Sequence, residues 1–455
     1  MFLKQIYTDC LAQASYYVES DGEAIVIDPL RDVDVYLEIA NKNSAKIKYI
    51  FETHFHADFV SGHLTLAETT GSKIIYGPKA DPNFDAIIAL DNQIFKFGKI
   101  FIKVIHTPGH TLESSSYLLF DEEGKPNSIF TGDTLFIGDV GIPDVAQRYK
   151  GLSKKDLASI LYNSINNKIK PLPDDIIVYP GHGAGSACGK NMMKKTFDTL
   201  GNQKKINYSL NDTISKKYFI KALIEDLPKP PSYFPYNVKM NQDGYENLSN
   251  VIKRARNPLS LTDFEIKMKI KDVKILDVRS SEQFCRGHIP GSIFIGINGG
   301  FAPWVGAIMA DPGVQILLVV DETRLNEAII RLSRVGFDKV IGYLNGGFNS
   351  WIPKNKFNTV PSVFPNKSFI SQIKDDIVLD VRNPSEIIVG KIKNSLNIPL
   401  NELNSKLHKI SKSESYSIYC AGGYRSVIAA SILMSKGFKN VKNIYGGFKS
   451  IAAIN

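Results

Sequence analysis

The residues with the clearest chemical potential lie in the segment THFHADF, which ends at Phe59. His54, His56 and Asp58 alternate there, directly after the strand-like run YIFE. Imidazole nitrogens and carboxylate oxygens are common protein ligands of zinc and iron. The phenyl ring of Phe59 cannot bind a metal. The segment therefore predicts a metal centre built around one ion.

Three later segments carry a metal-binding residue type in the same setting. His110, Asp133 and His182 each follow a glycine, in the segments TPGHT, TGDT and PGHG. Glycine permits the sharp turn that brings a side chain back towards the end of the preceding strand. One loop histidine is usually structural, but four such segments in order favour a shared metal centre.

A second reactive site is predicted at Cys420, in the segment CAGGYRS. The cysteine follows the apolar run YSIY, and Gly422 and Gly423 precede a helical stretch. The backbone N–H groups of such a loop and the start of a helix both stabilise an anion. Arg425 adds a positive charge. We therefore expect a nucleophilic thiolate at Cys420.

The C-terminal part of the chain contains an internal repeat. The segment ILDVR at 275–279 recurs as VLDVR at 378–382, and a later GGF is repeated as well. Two α/β units of about 100 residues each are expected. In the first of these two repeats, Asp321 stands at the position of Cys420, in a loop without glycine. This unit is therefore predicted to lack the nucleophile.

The elements that must position these residues follow an α/β pattern. Short β-branched runs such as AIVIDP, KIIYG and IIVYP alternate with turns and helical stretches. A chain of 455 residues predicts two to three domains. The net charge of +9 comes from dispersed lysines, which argues against a nucleic-acid partner and suits anionic small substrates.

The cysteines and the apolar runs indicate the compartment. The four cysteines show no paired framework, which favours a reducing environment. Cys285 lies away from any glycine-rich loop and is expected to be structural, and Cys10 lies near the N-terminal strand and is expected to be in the core. We find no signal-peptide pattern and no membrane-spanning apolar run. A cytoplasmic protein without membrane contact is therefore expected.

The ordered motifs HxHxD, GH, GD and GH resemble the metallo-β-lactamase superfamily, and the two repeated units resemble rhodanese domains. The resemblance implies an α/β fold: a metallo-β-lactamase αββα sandwich followed by two rhodanese-like α/β domains. The implied domains are 1–235 for the sandwich, 236–257 for a linker, 258–357 for an inactive rhodanese-like domain and 363–455 for an active rhodanese domain.

Within the superfamily, HFHADF and PGHGAGSAC resemble the persulfide dioxygenase (sulfur dioxygenase) branch. This resemblance implies one non-haem Fe(II), and its ligands would be His54, His110 and Asp133. The groups surrounding these ligands would be His56, Asp58 and His182. In the hydrolase version of the motif, a histidine that helps to hold a second metal stands at the position of Phe59.

One departure from the family bears on the substrate. The family often has GRPD after the aspartate ligand, whereas this chain has GIPD from Gly141 to Asp144, with Ile142 in place of the arginine. If that arginine contacts glutathione, this protein would prefer another carrier thiol, such as coenzyme A. Cys188 follows His182 in a glycine-rich loop, where it would either pack as a small hydrophobe or line a substrate channel.

Together the resemblances imply a persulfide dioxygenase fused to a sulfurtransferase. The substrates would be O₂ and a persulfide of glutathione, coenzyme A or another low-molecular-weight thiol, and the products would be sulfite and the thiol. Cys420 would carry a sulfane sulfur to sulfite, giving thiosulfate, or run the reverse reaction. The role would be sulfide detoxification, and analogy implies a homo-oligomer.

Two other interpretations stay open from the sequence. One is a zinc-dependent thioester hydrolase of the glyoxalase II type with a sulfurtransferase domain. The other is a non-catalytic protein that senses sulfur or binds partners, as the missing nucleophile of the middle unit suggests.

Overall fold

The computed structural model describes residues 1–143, 148–227, 229–366 and 368–453. The chain divides into two compact units, which are Met1–Leu248 with Ser333–Gly336, and Ser249–Leu332 with Phe337–Asn455. The first unit contains the histidine and aspartate motifs. The second contains both repeated modules. Asp144, the last residue of the GIPD segment, lies outside the described residues.

The first unit is built on two six-stranded sheets, and in each the spatial order of the strands equals their order in the chain. The first sheet contains β1 (Phe2–Thr8), β2 (Gln13–Ser20), β3 (Glu23–Ile27), β4 (Lys46–Glu52), β5 (Lys73–Tyr76) and β6 (Ile87–Ile88). The second contains β7 (Ile94–Phe97), β8 (Ile100–His106), β9 (Ser115–Phe120), β10 (Pro126–Gly132), β11 (Ile177–Pro180) and β12 (Asp198–Thr199). The strands predicted from the runs AIVIDP, KIIYG and IIVYP are present as β3, β5 and β11.

The two sheets pack face to face and carry helices on their outer sides. The helices of this unit are α1 (Asp34–Asn43), α2 (His63–Thr70), α3 (Lys154–Ser164), α4 (Leu200–Ile206), α5 (Lys216–Ile224) and α6 (Phe234–Asp243). Val18, Phe51 and Phe130 belong to one buried apolar cluster that joins the sheets. A second cluster packs α3 and α5, through Leu161 and Phe219, on the second sheet. The predicted αββα sandwich is confirmed.

The segment predicted as a linker, 236–257, is largely helical. It contains most of α6 and the whole of α7 (Leu248–Ala255). The buried side chain of Asn241 in α6 donates hydrogen bonds to the carbonyl oxygens of His56 and Phe59, both at 2.8 Å. It also accepts one from the N–H of Ser61 at 2.9 Å. Helix α6 therefore holds the loop that carries the HxHxD motif.

The second unit contains two five-stranded parallel sheets. The first repeat (258–357) has β13 (Pro258–Leu259), β14 (Lys274–Asp277), β15 (Ile293–Phe294), β16 (Ile316–Val319) and β17 (Val340–Leu344). The second repeat (363–455) is built on β18 (Ser362–Val363), β19 (Ile377–Asp380), β20 (Leu396–Asn397), β21 (Tyr416–Tyr419) and β22 (Val441–Ile444). The spatial orders, β13-β17-β16-β14-β15 and β18-β22-β21-β19-β20, are identical, as the internal repeat predicts.

The repeated LDVR motif forms the same buried ion pair in both sheets. Arg279 binds Asp277 at 2.6 Å, and Arg382 binds Asp380 at 2.7 Å. In each repeat the guanidinium also donates to the carbonyl oxygen of the glycine eight residues later, at 2.8 and 2.9 Å. It lies over the phenylalanine of the repeated GGF. These shared sequence motifs therefore specify a shared architecture.

The helices of the second unit beyond α7 complete the two modules. They are α8 (Leu261–Lys267), α9 (Ser281–Arg286), α10 (Phe301–Met309), α11 (Leu325–Ser333), α12 (Phe369–Gln372), α13 (Pro384–Ile387), α14 (Tyr424–Ser435) and α15 (Gly447–Ala452). Eight consecutive residues of α14, Ser426 to Leu433, are buried. The side chain of Ser431 in α14 accepts a hydrogen bond from the N–H of Phe294 at 3.0 Å, so the first repeat packs on this helix. None of the described helices has the length and apolar composition needed to cross a membrane.

Candidate functional site

Three buried side chains converge where β4, β8 and β10 end. His54, His110 and Asp133 are each less than 4% exposed, and one donor atom of each lies within 4.8 Å of those of the other two. Nε2 of His110 is 3.6 Å from Oδ2 of Asp133. The rings of His54 and His110 meet edge to face, with centroids 5.0 Å apart. The structure thus brings together the three residues that the family resemblance implied as metal ligands.

The orientation of His54 is set by a hydrogen-bonded chain to Asp28. The hydroxyl of Thr53 donates its single hydrogen to Oδ2 of Asp28 at 2.9 Å. It must therefore accept from Nδ1 of His54, 2.9 Å away, which leaves Nε2 free to bind a metal. Burial and the charge of nearby His56 hold the pKa of His54 well below its ordinary value, so the ring is neutral.

The orientation of His110 depends on the backbone of Ile142. Nδ1 of His110 donates to the carbonyl oxygen of Ile142 at 2.7 Å, which directs Nε2 towards Asp133. The N–H of Ile142 in turn donates to the carbonyl oxygen of Cys188 at 3.0 Å. The side chain of Ile142 is 2% exposed and belongs to the apolar core. At this position the chain therefore uses its main chain to hold a ligand.

Asp133 is held by His182. Nδ1 of His182 donates to Oδ1 of Asp133, and Nε2 donates to Oδ2 of Asp58, both at 2.8 Å. Although burial opposes the change, the two carboxylates raise the pKa of His182 well above its ordinary value. Oδ2 of Asp133 is buried and has no hydrogen-bond partner in the described residues. The free oxygen of Asp133 is therefore the one that faces the two imidazoles.

Glycine is required immediately before Asp133. Gly132 has a φ of +48°, and a Cβ there would lie 2.6 Å from the side chain of Thr53. The turn after β10 can therefore approach the end of β4 closely only without a side chain.

His56 does not join the triad. Its Nε2 lies 3.1 Å from Oδ1 of Asp28 and 3.5 Å from Oε2 of Glu52, all in the buried interior. Although burial alone would lower it, these carboxylates raise the pKa of His56 above its ordinary value. The ring of Phe59 packs on that of His56, with centroids 4.4 Å apart. The donor atoms of His56, Asp28 and Glu52 therefore form a separate group from those of His54, His110 and Asp133, although the rings of His54 and His56 are 4.3 Å apart.

The triad fits a single divalent metal ion. Two imidazole nitrogens and one carboxylate oxygen form the donor set of mononuclear non-haem iron centres, and three protein ligands with an open position also suit catalytic zinc. The orphaned oxygen of Asp133 supports this fit, because a buried carboxylate oxygen without a partner is otherwise costly. Cys188 lies apart from the triad, with its sulfur in a group with Asp58 and His182.

Sequence reasoning missed several residues of this site. Asp28 and Thr53 orient His54, and Asn241 holds the motif loop. Tyr233 is buried nearby, where burial and the charge of Asp58 raise its pKa. The DP dipeptide after β3 was a usable signal for Asp28, whereas Asn241 sits in a helix without any motif.

Cys420 lies directly after β21 and is 1% exposed. Its sulfur accepts a hydrogen bond from the N–H of Gly423 at 3.1 Å and lies 3.6 Å from the hydroxyl of Ser426. That hydroxyl also donates to Oδ1 of Asn443 at 2.7 Å. Gly423 has a φ of +93°, and a Cβ added at Gly422 would meet no atom within 4 Å. Among the described residues, the backbone N–H donor to the sulfur is that of Gly423.

Arg425 is bound to Glu386 rather than left free. Its two terminal nitrogens donate to the two carboxylate oxygens at 2.7 and 2.6 Å. Glu386 raises the pKa of Arg425, and the nearby Cys420 contributes in the same direction. The guanidinium is thus fixed beside the sulfur by a bidentate ion pair, which restricts its motion.

The first repeat carries no thiol at the corresponding strand end. β16 is followed by Val320 and Asp321, and Arg324 pairs with Glu327 at 2.8 Å. Cys285, which we expected to lie away from any glycine-rich loop, instead lines a cavity together with Gly422 and Gly423. That expectation was wrong because the cavity is formed by both repeats, which are far apart in sequence.

Comparisons with known proteins agree with this architecture. Residues 8–182 match the family described as Metallo-beta-lactamase superfamily, and residues 260–354 and 366–454 match the Rhodanese-like domain family. A crystal structure of a metallo-beta-lactamase from Staphylococcus aureus subsp. aureus COL shares 32% identity and covers 76% of this chain and 98% of its own, with a TM-score of 0.66. A structure of ETHE1 from Myxococcus xanthus shares 26% identity over 53% of this chain and 98% of its own, with a TM-score of 0.45.

A curated relative matches the first unit. The hydroxyacylglutathione hydrolase of Dictyostelium discoideum is 34% identical over 176 residues, which is 37% of this chain and 61% of the hydrolase. The chain thus spans about three fifths of the length of this relative. Taken with the sandwich, the triad and the two parallel sheets, these matches show that the chain belongs to the metallo-β-lactamase superfamily and carries two rhodanese-like domains.

Proposed function

We propose that the protein is a persulfide dioxygenase fused to a sulfurtransferase. The first unit would convert R–S–SH, O₂ and H₂O to R–SH and sulfite, with release of two protons. The second would transfer sulfane sulfur through Cys420. The resident metal would be one Fe(II), and the organism would gain a route for removing sulfide. A cytoplasmic location and a homo-oligomeric state belong to the same proposal.

The observation that carries this proposal is that Nε2 of His56 faces Asp28 and Glu52 and not the donor atoms of the triad. His56 is engaged by Asp28 and Glu52, and Phe59 cannot bind a metal. A dinuclear hydrolase needs ligands for two ions, and in the neighbouring group of Asp58, His182 and Cys188 both ring nitrogens of His182 are hydrogen-bonded to carboxylates. Two imidazoles and one carboxylate leave several positions on one Fe(II) open to reactants. The donor set supports one-metal oxygenation chemistry.

Within the first unit, the protein's own residues would orient the metal ligands and exclude water from the site. Bound by the triad, Fe(II) would supply redox chemistry with O₂. Thr53 and Asp28 hold the Nδ1 proton of His54, and the Ile142 carbonyl holds that of His110. His182 keeps Asp133 in its carboxylate form and leaves Oδ2 for the metal. The burial of these groups limits water near them, which strengthens each charge interaction.

In the second unit the thiolate of Cys420 would act as the nucleophile. It attacks the terminal sulfur of R–S–SH, the existing S–S bond breaks, and R–S⁻ leaves. The terminal sulfur of the resulting Cys420 persulfide then bonds to sulfite as the persulfide S–S bond breaks, which yields thiosulfate, releases one proton to water and regenerates the thiolate. Gly423 N–H supports the developing negative charge on sulfur. The reverse sequence uses the same groups, and the two units together would consume the sulfite that the first produces.

A second candidate function is thioester hydrolysis with zinc in the triad. The name of the Dictyostelium discoideum relative, hydroxyacylglutathione hydrolase, favours it for the first unit. The same three ligands would leave an open position for a zinc-bound water. The two candidates differ in their use of O₂, because only the dioxygenase consumes it.

The test is O₂ uptake by the Fe(II)-loaded full chain with persulfides of cysteine, glutathione and coenzyme A, alongside hydrolysis of S-lactoylglutathione by the zinc-loaded chain. We expect O₂ uptake with sulfite and thiosulfate as products. In Cys420→Ser, the products should shift towards sulfite. Thioester hydrolysis without O₂ uptake would contradict the dioxygenase proposal and support the hydrolase.

A further inference from the structure

A cavity of about 580 Å³ adjoins the loop that follows Cys420. It is lined by Gly422 and Gly423 of that loop, by Asn443 and Tyr445 of the second repeat, and by helix α9 of the first repeat. Its volume is that of a small-molecule site. The repeat without a nucleophile therefore lines a cavity that borders the loop after Cys420.

Helix α9 presents one acidic and one basic side chain to this cavity. Glu282 and Arg286 lie four residues apart, which places them on the same helix face. Both are exposed, and neither uses its side chain in a hydrogen bond or ion pair with any described residue. They are therefore available to a ligand.

Two other ionisable groups, Arg425 beside the Cys420 loop and Cys285 in the lining, supply no free charge. Arg425 is bound by both carboxylate oxygens of Glu386. Burial raises the pKa of Cys285 to about 11, so this lining residue is a neutral thiol at physiological pH. Within the described lining, the available charges are thus one carboxylate and one guanidinium.

We propose that the cavity binds the zwitterionic head group of an amino-acid thiol persulfide. Glu282 would bind the ammonium group and Arg286 the carboxylate. This inference rests on the proposed sulfur transfer at Cys420 and specifies its donor. Coenzyme A fits less well, because its phosphate groups require several cations and the described lining provides one.

The reaction at this site balances without a further reactant. For cysteine persulfide as donor, the Cys420 thiolate forms a bond to the terminal sulfur and the bond between the two donor sulfurs breaks. Cysteine thiolate leaves, and the terminal sulfur with its proton stays on Cys420. The head group is unchanged, so Glu282 and Arg286 act on binding alone.

Three persulfide donors distinguish the contact made by Glu282 from the contact made by Arg286. Cysteine persulfide carries both head-group charges, N-acetylcysteine persulfide lacks the ammonium group, and cysteamine persulfide lacks the carboxylate. Transfer from each to sulfite is measured with the full chain under anaerobic conditions, with mass spectrometry of Cys420 as a direct readout. Matched controls are Arg256→Gln and Glu414→Gln, which alter exposed charges that do not line the cavity.

For Glu282→Gln we expect KM to rise about three- to tenfold with cysteine and cysteamine persulfides and to stay unchanged with the N-acetyl donor. For Arg286→Gln, KM should rise with cysteine and N-acetylcysteine persulfides and stay unchanged with cysteamine persulfide. The value of kcat should stay the same in both variants, because neither residue acts on the reacting sulfurs. Wild-type kcat/KM should be lower with coenzyme A persulfide than with cysteine persulfide.

Failure of the proposed sulfur transfer and failure of the head-group site would give different results. If wild-type Cys420 acquires no sulfur from any donor, the proposed sulfur transfer itself is wrong. If the wild type transfers sulfur but both variants match the controls with all donors, the head-group site is wrong. A wild-type preference for coenzyme A persulfide would also overturn it.

Discussion

Nδ1 of His182 donates a hydrogen bond of 2.8 Å to Oδ1 of Asp133, and the opposite nitrogen of the same ring donates to Asp58. One imidazole thus joins a residue of the HxHxD motif to the predicted carboxylate ligand. The GD and GH motifs, 49 positions apart in the chain, form a single unit for this reason.

Replacement of His182 should weaken metal binding without removing a ligand. In His182→Ala, Asp133 loses the donor that directs its free oxygen, and we expect metal affinity to fall about 10- to 100-fold. His182→Asn should retain more affinity, because its amide can replace the donor to Asp133 but not the one to Asp58. Competition with a chelator measures the constants, and equal affinity in all three proteins would contradict the assignment.

Metal content should separate His54 from His56. His54→Ala and His110→Ala are expected to lose the metal, whereas His56→Gln should keep about one ion per chain, since His56 faces Asp28 and Glu52. The same His56→Gln variant should be less stable by about 3–5 kcal/mol, because it leaves two buried carboxylates without their cation.

Metal analysis of the folded fraction and urea unfolding together test this pair of expectations. Loss of metal in His56→Gln, with stability unchanged, would make His56 a ligand and reverse our interpretation of its contacts.

The reactivity of Cys420 should depend on Arg425. Removal of the guanidinium beside the sulfur in Arg425→Ala should lower the alkylation rate of Cys420 by iodoacetamide about tenfold at neutral pH, which corresponds to about 1.4 kcal/mol. Arg425→Lys should be intermediate, because an ammonium group cannot form the bidentate pair with Glu386. Peptide mass spectrometry gives the rate at this cysteine, with Arg256→Ala as the control, and identical rates would exclude the role.

A buried histidine of the first repeat should make stability depend on pH. His288 is 1% exposed, stacks on Phe284 and donates from Nδ1 to its carbonyl oxygen at 3.1 Å. Burial lowers its pKa to about 4. The unfolded chain, with a histidine pKa of about 6.5, binds this proton first as the pH falls. The contribution is therefore complete above about pH 6.5 and is lost towards pH 4, by up to about 3 kcal/mol.

Thermal unfolding of the wild type and His288→Gln between pH 7 and 4.5 tests this dependence. The variant should lose less stability on acidification, and His408→Gln, which alters an exposed histidine, should follow the wild type. Parallel curves for all three proteins would show that His288 does not titrate in this range.

Much of the first unit could be predicted because its chemistry follows local rules. β4, β8 and β10 end in the same region of this unit. A histidine or an aspartate follows each of these strands within a few residues, so the candidate ligands could be recognised from the sequence. The two parallel sheets were predictable for another reason, since Asp277 with Arg279 and Asp380 with Arg382 form the same pair in both copies.

The contacts that orient these residues were not predictable from one sequence. From the sequence, Ile142 was notable only because it stands in place of an arginine. In the structure its carbonyl oxygen holds His110, while its side chain packs in the core. Asn241 reaches its partner His56 across 185 positions of the chain. Backbone acceptors have no sequence signal, and partners so distant in the chain become neighbours only when the fold has formed.

Helix α14 connects the two repeats in a way that limits how each can change. It starts beside Cys420, and the first repeat binds it through Phe294 at Ser431 and through the carbonyl oxygen of Gly296 at the hydroxyl of Tyr424. A mutation that abolishes chemistry in the first repeat leaves this surface intact, whereas one that alters the surface uncovers an apolar helix. The first repeat, which carries no thiol at the end of β16, therefore serves as a cover for the apolar helix that begins beside Cys420.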